Sequence, residues 1–131
     1  MPQHRGPVLV VDDDEAVRHS LKFSLELEGL AVRLYADAAQ LLRDVLRDAA
    51  LPRMGCLVVD DRMPGMDGVQ LVGQLRAHDI DLPAILITAR PSPALARRAA
   101  EAGFRRVVEK PFEDGSLLDG IRDALAAAAP G

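Results

Sequence analysis

Five short apolar runs rich in β-branched residues punctuate the chain, at 8–12, 31–35, 56–60, 84–88 and 106–109. The first, third and fourth are almost continuously apolar, as strands covered on both faces must be. Between the runs the apolar positions change to helical spacing: Val17, Leu21 and Leu25, then Leu41, Val45 and Ala49, then Val69, Val72 and Leu75, then Leu95 with Ala99, and last Leu117, Ile121 and Leu125. That spacing lays one face of each segment on a sheet. Ser92 before Pro93 reads as an N-cap with proline in the first turn, and Gly29 and Gly103 fall where two helices should stop. Strand and helix alternate through five units, which predicts an α/β fold with a doubly wound five-stranded parallel sheet and five helices.

No internal repeat, low-complexity tract or long linker divides the 131 residues, so one domain over 1–131 is expected, with its core at about 8–127. The closing AAAAPG reads as a helix end or the start of a linker. With 49% hydrophobic, 27% charged and only 3% aromatic residues, the core must be aliphatic. A net charge of −4 argues against a surface built to neutralise nucleic-acid phosphates, so no nucleic acid is expected to bind this domain. No apolar stretch approaches the about 18 residues of a membrane span, and the opening MPQHRGP lacks the apolar region of a signal peptide. The expected location is cytoplasmic. The lone cysteine, Cys56, opens an apolar run and reads as a buried thiol. His4, His19 and His78 are scattered and read as surface residues.

Doubly wound sheets place their sites just beyond the carboxyl ends of the strands. Those ends carry Asp12 and Asp13 after the first run, Asp60 at the third, Thr88 at the fourth and Lys110 after the fifth. Singly, each has a plainer reading: an aspartate caps a helix, a threonine favours strands, a lysine solvates a surface. Convergence from four strands is what points to chemistry. Three carboxylates drawn together repel and demand a cation, and an all-oxygen set suits Mg²⁺, with Mn²⁺ as the alternative ion. Such a cation, with Lys110 and the Thr88 hydroxyl, would hold the oxygens of a transferring phosphoryl group while Asp60 acts as nucleophile.

Four pieces in fixed order, VLVVDDDE, LVVDDRMPGMDG, ILITA and VVEKPF, make the chain resemble the receiver domain of bacterial two-component response regulators over nearly its whole length. The resemblance implies a flavodoxin-like strand order 2-1-3-4-5 and a set of roles. Asp60 falls at the phosphoacceptor. Asp13 falls at the direct Mg²⁺ ligand, Asp12 acts through water, and the main-chain carbonyl of Arg62 is a further ligand. Thr88, the amide of Ala89 and Lys110 fall at the groups that contact the phosphoryl oxygens. Pro111 follows a cis peptide bond from Lys110, and Gly68 frees the backbone to turn behind the acceptor. The implied partner is a histidine kinase or phosphotransfer protein, and the implied behaviour is self-catalysed phosphotransfer and autodephosphorylation rather than turnover of a separate substrate.

The chain departs from that pattern at Val107, where receivers of this type usually carry an aromatic residue that reports the movement of the threonine. Phe104 stands at an odd offset from Val107, which puts it on the opposite strand face. Arg62 and Arg90, each two residues beyond a site residue, overlook the mouth and either tune the lifetime of phospho-Asp60 or are simply solvated. Asp14 and Glu15 read as the cap of the first helix, and Asp61 as pointing away from Asp60. Arg97, Arg98, Arg105, Arg106, Asp119 and Asp123 make a charged face over the fourth helix, fifth strand and fifth helix, either solvated or exchanging salt bridges in a homodimer. Two other readings stay open. A haloacid-dehalogenase-like phosphatase also uses Asp, Thr, Lys and Mg²⁺, but in the reverse motif order, and a phosphorylation-independent interaction module is favoured only by Val107. If a DNA-binding domain follows in the full protein, the output is transcriptional; a stand-alone receiver is the alternative.

Overall fold

The computed structural model describes residues 7–48, 55–111 and 115–128. His4, Ala49, Phe112 and the final three residues of the AAAAPG segment lie outside them. Five strands, β1 (Val8–Val11), β2 (Val32–Tyr35), β3 (Cys56–Asp60), β4 (Ala84–Thr88) and β5 (Arg106–Glu109), alternate with α1 (Glu15–Leu27), α2 (Ala38–Arg47), α3 (Gly68–Ala77), α4 (Pro93–Ala102) and α5 (Ser116–Ala128). All strand pairs are parallel and the order is β2-β1-β3-β4-β5. The fold is the expected one. Only strand ends shift: β1 stops at Val11, one residue short of Asp12, and β2 starts at Val32 rather than Ala31.

Burial explains why the central strands were readable. Every residue of β1, β3 and β4 is buried, whereas β2 and β5, at the sheet edges, each keep three positions partly or fully exposed. Side-chain alternation divides the core in two. Leu9, Val11, Leu57, Val59 and Leu86 pack with the apolar faces of α2, α3 and α4. Val8, Val10, Cys56, Val58, Ile85, Ile87 and Val108 pack with α1 and α5 on the other side. Burial pushes the Cys56 thiol up to about 12, so it stays protonated and inert.

Short polar side chains start the helices where the sequence places them. Asp14 Oδ1 accepts from the amides of Ala16 and Val17 at 2.9 and 3.4 Å, and Ser92 Oγ accepts from Leu95 at 3.0 Å with Pro93 behind it. Asp67 and Gln70 form a reciprocal capping box at the start of α3. Each such cap contributes about 1 kcal/mol. Gly103, with φ of 95°, ends α4 in the left-handed region that glycine tolerates.

Phe104 is not where alternation puts it. It is buried in the same cluster as Leu95 and Ala99, against which Val107 also packs. The reason is that β5 begins only at Arg106, so strand parity counted back from Val107 does not reach Phe104. Its backbone amide instead donates to Ala99 O at 2.9 Å, closing the turn after α4.

Candidate functional site

Parallel register brings the carboxyl ends of β1, β3, β4 and β5 side by side: Val11 is level with Val59, Asp60 with Ile87 and Thr88 with Glu109. Among the described residues, the buried polar or charged side chains are Asp12, Asp60 and Thr88, and all three stand at this edge. Burying two carboxylates in one place is costly unless each has partners. Asp12 has several. Its Oδ1 accepts from the Asp14 amide at 2.9 Å, and its Oδ2 accepts from Lys110 Nζ at 3.0 Å. Arg18 also donates to the Asp12 carbonyl at 2.7 Å, pinning the β1–α1 connection.

Asp60 is less well provided for. Lys110 Nζ lies 3.5 Å from its Oδ1, and the Arg62 amide donates to the same oxygen at 3.4 Å. Burial, with the neighbouring Asp12 charge, pushes its carboxyl up to about 6 despite Lys110 and the Arg62 amide. Burial pulls Lys110 the other way, but its hydrogen bond to Asp12 and the charges of Asp12 and Asp60 win, leaving the ammonium above its ordinary value. The lysine is therefore a fixed positive charge. A cis peptide bond joins it to Pro111.

Asp13 is exposed and joins Asp12 and Asp60 in a group whose carboxylate oxygens lie within 4.8 Å of one another. One oxygen from each residue, with no nitrogen or sulfur among them, is a donor set that fits Mg²⁺ or Mn²⁺. Such an ion would offset the Asp12 charge that adds to burial in lifting Asp60.

Thr88 is placed by its own strand and the next one. Lys110 N donates to Thr88 O at 2.8 Å, extending the β4–β5 ladder to the site lysine. The Thr88 hydroxyl accepts from the Arg90 amide at 2.9 Å and donates to Asp61 Oδ2 at 3.3 Å. That second contact gives Asp61 a partner that the expectation of its pointing away from Asp60 did not name. Asp60 is level with Ile87 and the Asp61 amide donates to the Ile87 carbonyl at 2.9 Å, so the next level pair is Asp61 with Thr88, and alternation puts Asp61 on the face of Thr88 rather than that of Asp60. An acidic residue directly after the acceptor was its one signal in the sequence.

Ala89 is exposed and lines a groove of about 690 Å³ between α1 and the start of α5, together with Lys110 and Pro111. Arg62 and Arg90 are exposed and line a second recess of about 360 Å³ with Asp61, Asp67 and Arg98. Gly68 acts differently from expectation. A Cβ there would stand 2.6 Å from the Asp60 carbonyl and 2.9 Å from Leu86, so the need is closeness to β3 and β4 rather than an unusual backbone angle. On the charged face, Arg106 pairs with Asp123 at 3.3 Å and Arg98 with Asp67 at 3.8 Å, both within the chain. His19 and His78 are exposed.

The sequence model of the response regulator receiver domain matches residues 8–122. The chain belongs to this family. It is 40% identical over 124 residues to the transcriptional regulatory protein FixJ of Azorhizobium caulinodans, covering 94% of this chain and 56% of that protein. It is 44% identical over 118 residues to the C4-dicarboxylate transport transcriptional regulatory protein DctD of Pseudomonas aeruginosa, covering 90% of this chain and 25% of that one. The crystal structure of FixJ-N superposes with a TM-score of 0.87 at 36% identity, over 98% of this chain and 100% of that one. The receiver domain thus spans about half or less of these two curated relatives. It is a signalling domain of two-component systems, and no described helix is long and apolar enough to cross a membrane.

Proposed function

We propose that Asp60 takes a phosphoryl group from a phosphohistidine of a histidine kinase or phosphotransfer protein, in a Mg²⁺-dependent reaction within the cytoplasm. The observation that carries this reading is the convergence of Asp12, Asp60, Thr88 and Lys110, largely buried, on one sheet edge with Asp13 beside them. The unpaired Cys56 suits a reducing compartment.

In the reaction, a carboxylate oxygen of Asp60 forms a bond to phosphorus as the phosphorus–nitrogen bond of the donor breaks, and the electron pair leaves with the imidazole. Asp13, Asp60 and the Arg62 carbonyl would hold Mg²⁺, with Asp12 acting through water, and the ion would supply charge to offset the carboxylates and the phosphoryl oxygens. Lys110 supplies a fixed cation to one phosphoryl oxygen, and Thr88 and the Ala89 amide donate to others. Arg62 and Arg90 stand at the mouth, where their side chains tune how long phospho-Asp60 resists water. The same groups serve attack by water, so slow autodephosphorylation follows.

The result is a population shift rather than turnover. Thr88 moving toward the phosphoryl group draws the start of α4 with it, and Val107, Phe104, Leu95 and Ala99 repack as one cluster in place of a rotating aromatic at position 107. That shift alters the α4–β5–α5 face, which then binds a partner or a second copy. In a longer protein of the FixJ or DctD type the output is transcriptional.

Intact mass after incubation with Mg²⁺ and acetyl phosphate tests the proposal. Gain of one phosphoryl group by the wild type and none by Asp60→Asn is the expected outcome. An equal gain in both would put the phosphoryl group on a residue other than Asp60, and none in either with beryllofluoride also without effect would favour an interaction module that works without phosphorylation.

A further inference from the structure

We propose that Asp61 is a positioning residue that holds the Thr88 hydroxyl in a resting orientation and so sets how readily the site takes a phosphoryl group. This rests on the reading above that Thr88 contacts that group.

The Thr88 side chain is buried, and its hydroxyl has one proton to give. That proton goes to Asp61 Oδ2, while a lone pair accepts from the Arg90 amide. A donation from Thr88 to a phosphoryl oxygen on Asp60 therefore requires release of Asp61. Two acceptors compete for one hydrogen.

The resting bond is built to lose that contest. At 3.3 Å it lies beyond the usual span for a hydroxyl donor, and it is correspondingly weak. A phosphoryl oxygen at ordinary distance is the stronger acceptor. Release leaves Asp61 in a recess that is also lined by Arg62, Arg90 and the Arg98–Asp67 pair. Asp61 thus lowers the fraction of protein whose Thr88 is free to turn, and apparent affinity for a phosphoryl group falls by that fraction.

A double-mutant cycle with beryllofluoride as the phosphoryl mimic, in Mg²⁺, tests this by nuclear magnetic resonance titration. Asp61→Ala should tighten beryllofluoride binding roughly 3- to 10-fold, the worth of one net hydrogen bond. The gain should vanish when Asp61→Ala is made in a Thr88→Ala background. No gain, or an equal gain in both backgrounds, overturns the proposal; the latter assigns the effect to lost negative charge alone. A second measurement needs no phosphoryl mimic. Scalar couplings across the Thr88 χ1 bond in the unliganded protein should report one rotamer in the wild type and a mixture in Asp61→Ala. The same rotamer distribution in both overturns the proposal, and because no anion is present this result stands apart from whether Asp60 accepts phosphoryl at all.

Discussion

Lys110 Nζ donates to Asp12 Oδ2 at 3.0 Å, joining residues 98 positions apart. The contact spans the sheet from β1 to the end of β5 and places the lysine's charge between two buried carboxylates. Removing that charge while keeping the side chain's length, as in Lys110→Met, leaves Asp12 and Asp60 to repel each other. Phosphoryl uptake from acetyl phosphate should fall on the order of 100-fold, as when one transition-state donor is removed. Stability in chelator should also drop, and added Mg²⁺ should raise the melting temperature of the variant more than that of the wild type. Equal Mg²⁺ increments in the two proteins would contradict this account of the lysine.

Gly68 and Gly73 both lie in α3 and should respond in opposite directions to alanine. A Cβ at Gly68 collides with the Asp60 carbonyl, whereas at Gly73 it meets nothing within 4 Å. Gly68→Ala should destabilise by about 1–3 kcal/mol, as overpacking does. Gly73→Ala should stabilise by about 0.5–1 kcal/mol through helix propensity. Denaturant midpoints measure both, and a neutral Gly68→Ala would show that β3 and α3 can separate without cost.

The pair formed by the Tyr35 hydroxyl and Asp44 makes stability depend on pH away from the site. The hydrogen bond from Tyr35, helped by Arg47 and Arg33 against the effect of burial, holds the Asp44 carboxyl below its ordinary value. A depressed carboxylate stabilises the fold above its unfolded value of about 3.9 and loses that contribution as pH falls through the lower folded value. The melting-temperature gap between wild type and Asp44→Asn should therefore be full at neutral pH and close in acid. At the alkaline end, burial and Asp44 raise the Tyr35 phenol, and as the chain's single tyrosine it can be followed by phenolate absorbance alone. A gap that widens in acid would reverse the assigned sign.

What the sequence made legible and what it hid divide along a physical line. Strands β1, β3 and β4 could be read because burial on both faces keeps them apolar up to their carboxyl ends, where Asp12, Asp60 and Thr88 then mark the site. Asp14 and Ser92 could be read because a cap is a local arrangement of a few residues. Phe104 could not, since alternation is a property of strand backbone and it lies just outside β5, and the partner of Asp61 could not, since the β3–β4 register is a tertiary pairing. The steric demand at Gly68 depends on how closely α3 approaches β3 and β4, and the Arg106–Asp123 pair on how α5 lies over β5. Those are tertiary distances, which no spacing along the chain encodes.

The central claim is that the acyl phosphate forms on Asp60 and on no other carboxylate of the cluster. Borohydride reduction after treatment with acetyl phosphate and Mg²⁺ converts a phosphorylated aspartate to homoserine, which peptide mass spectrometry locates. Homoserine at position 60 alone, absent when Mg²⁺ is chelated, is the predicted result. Homoserine at Asp12, Asp13 or Asp61, or at no position, would contradict it.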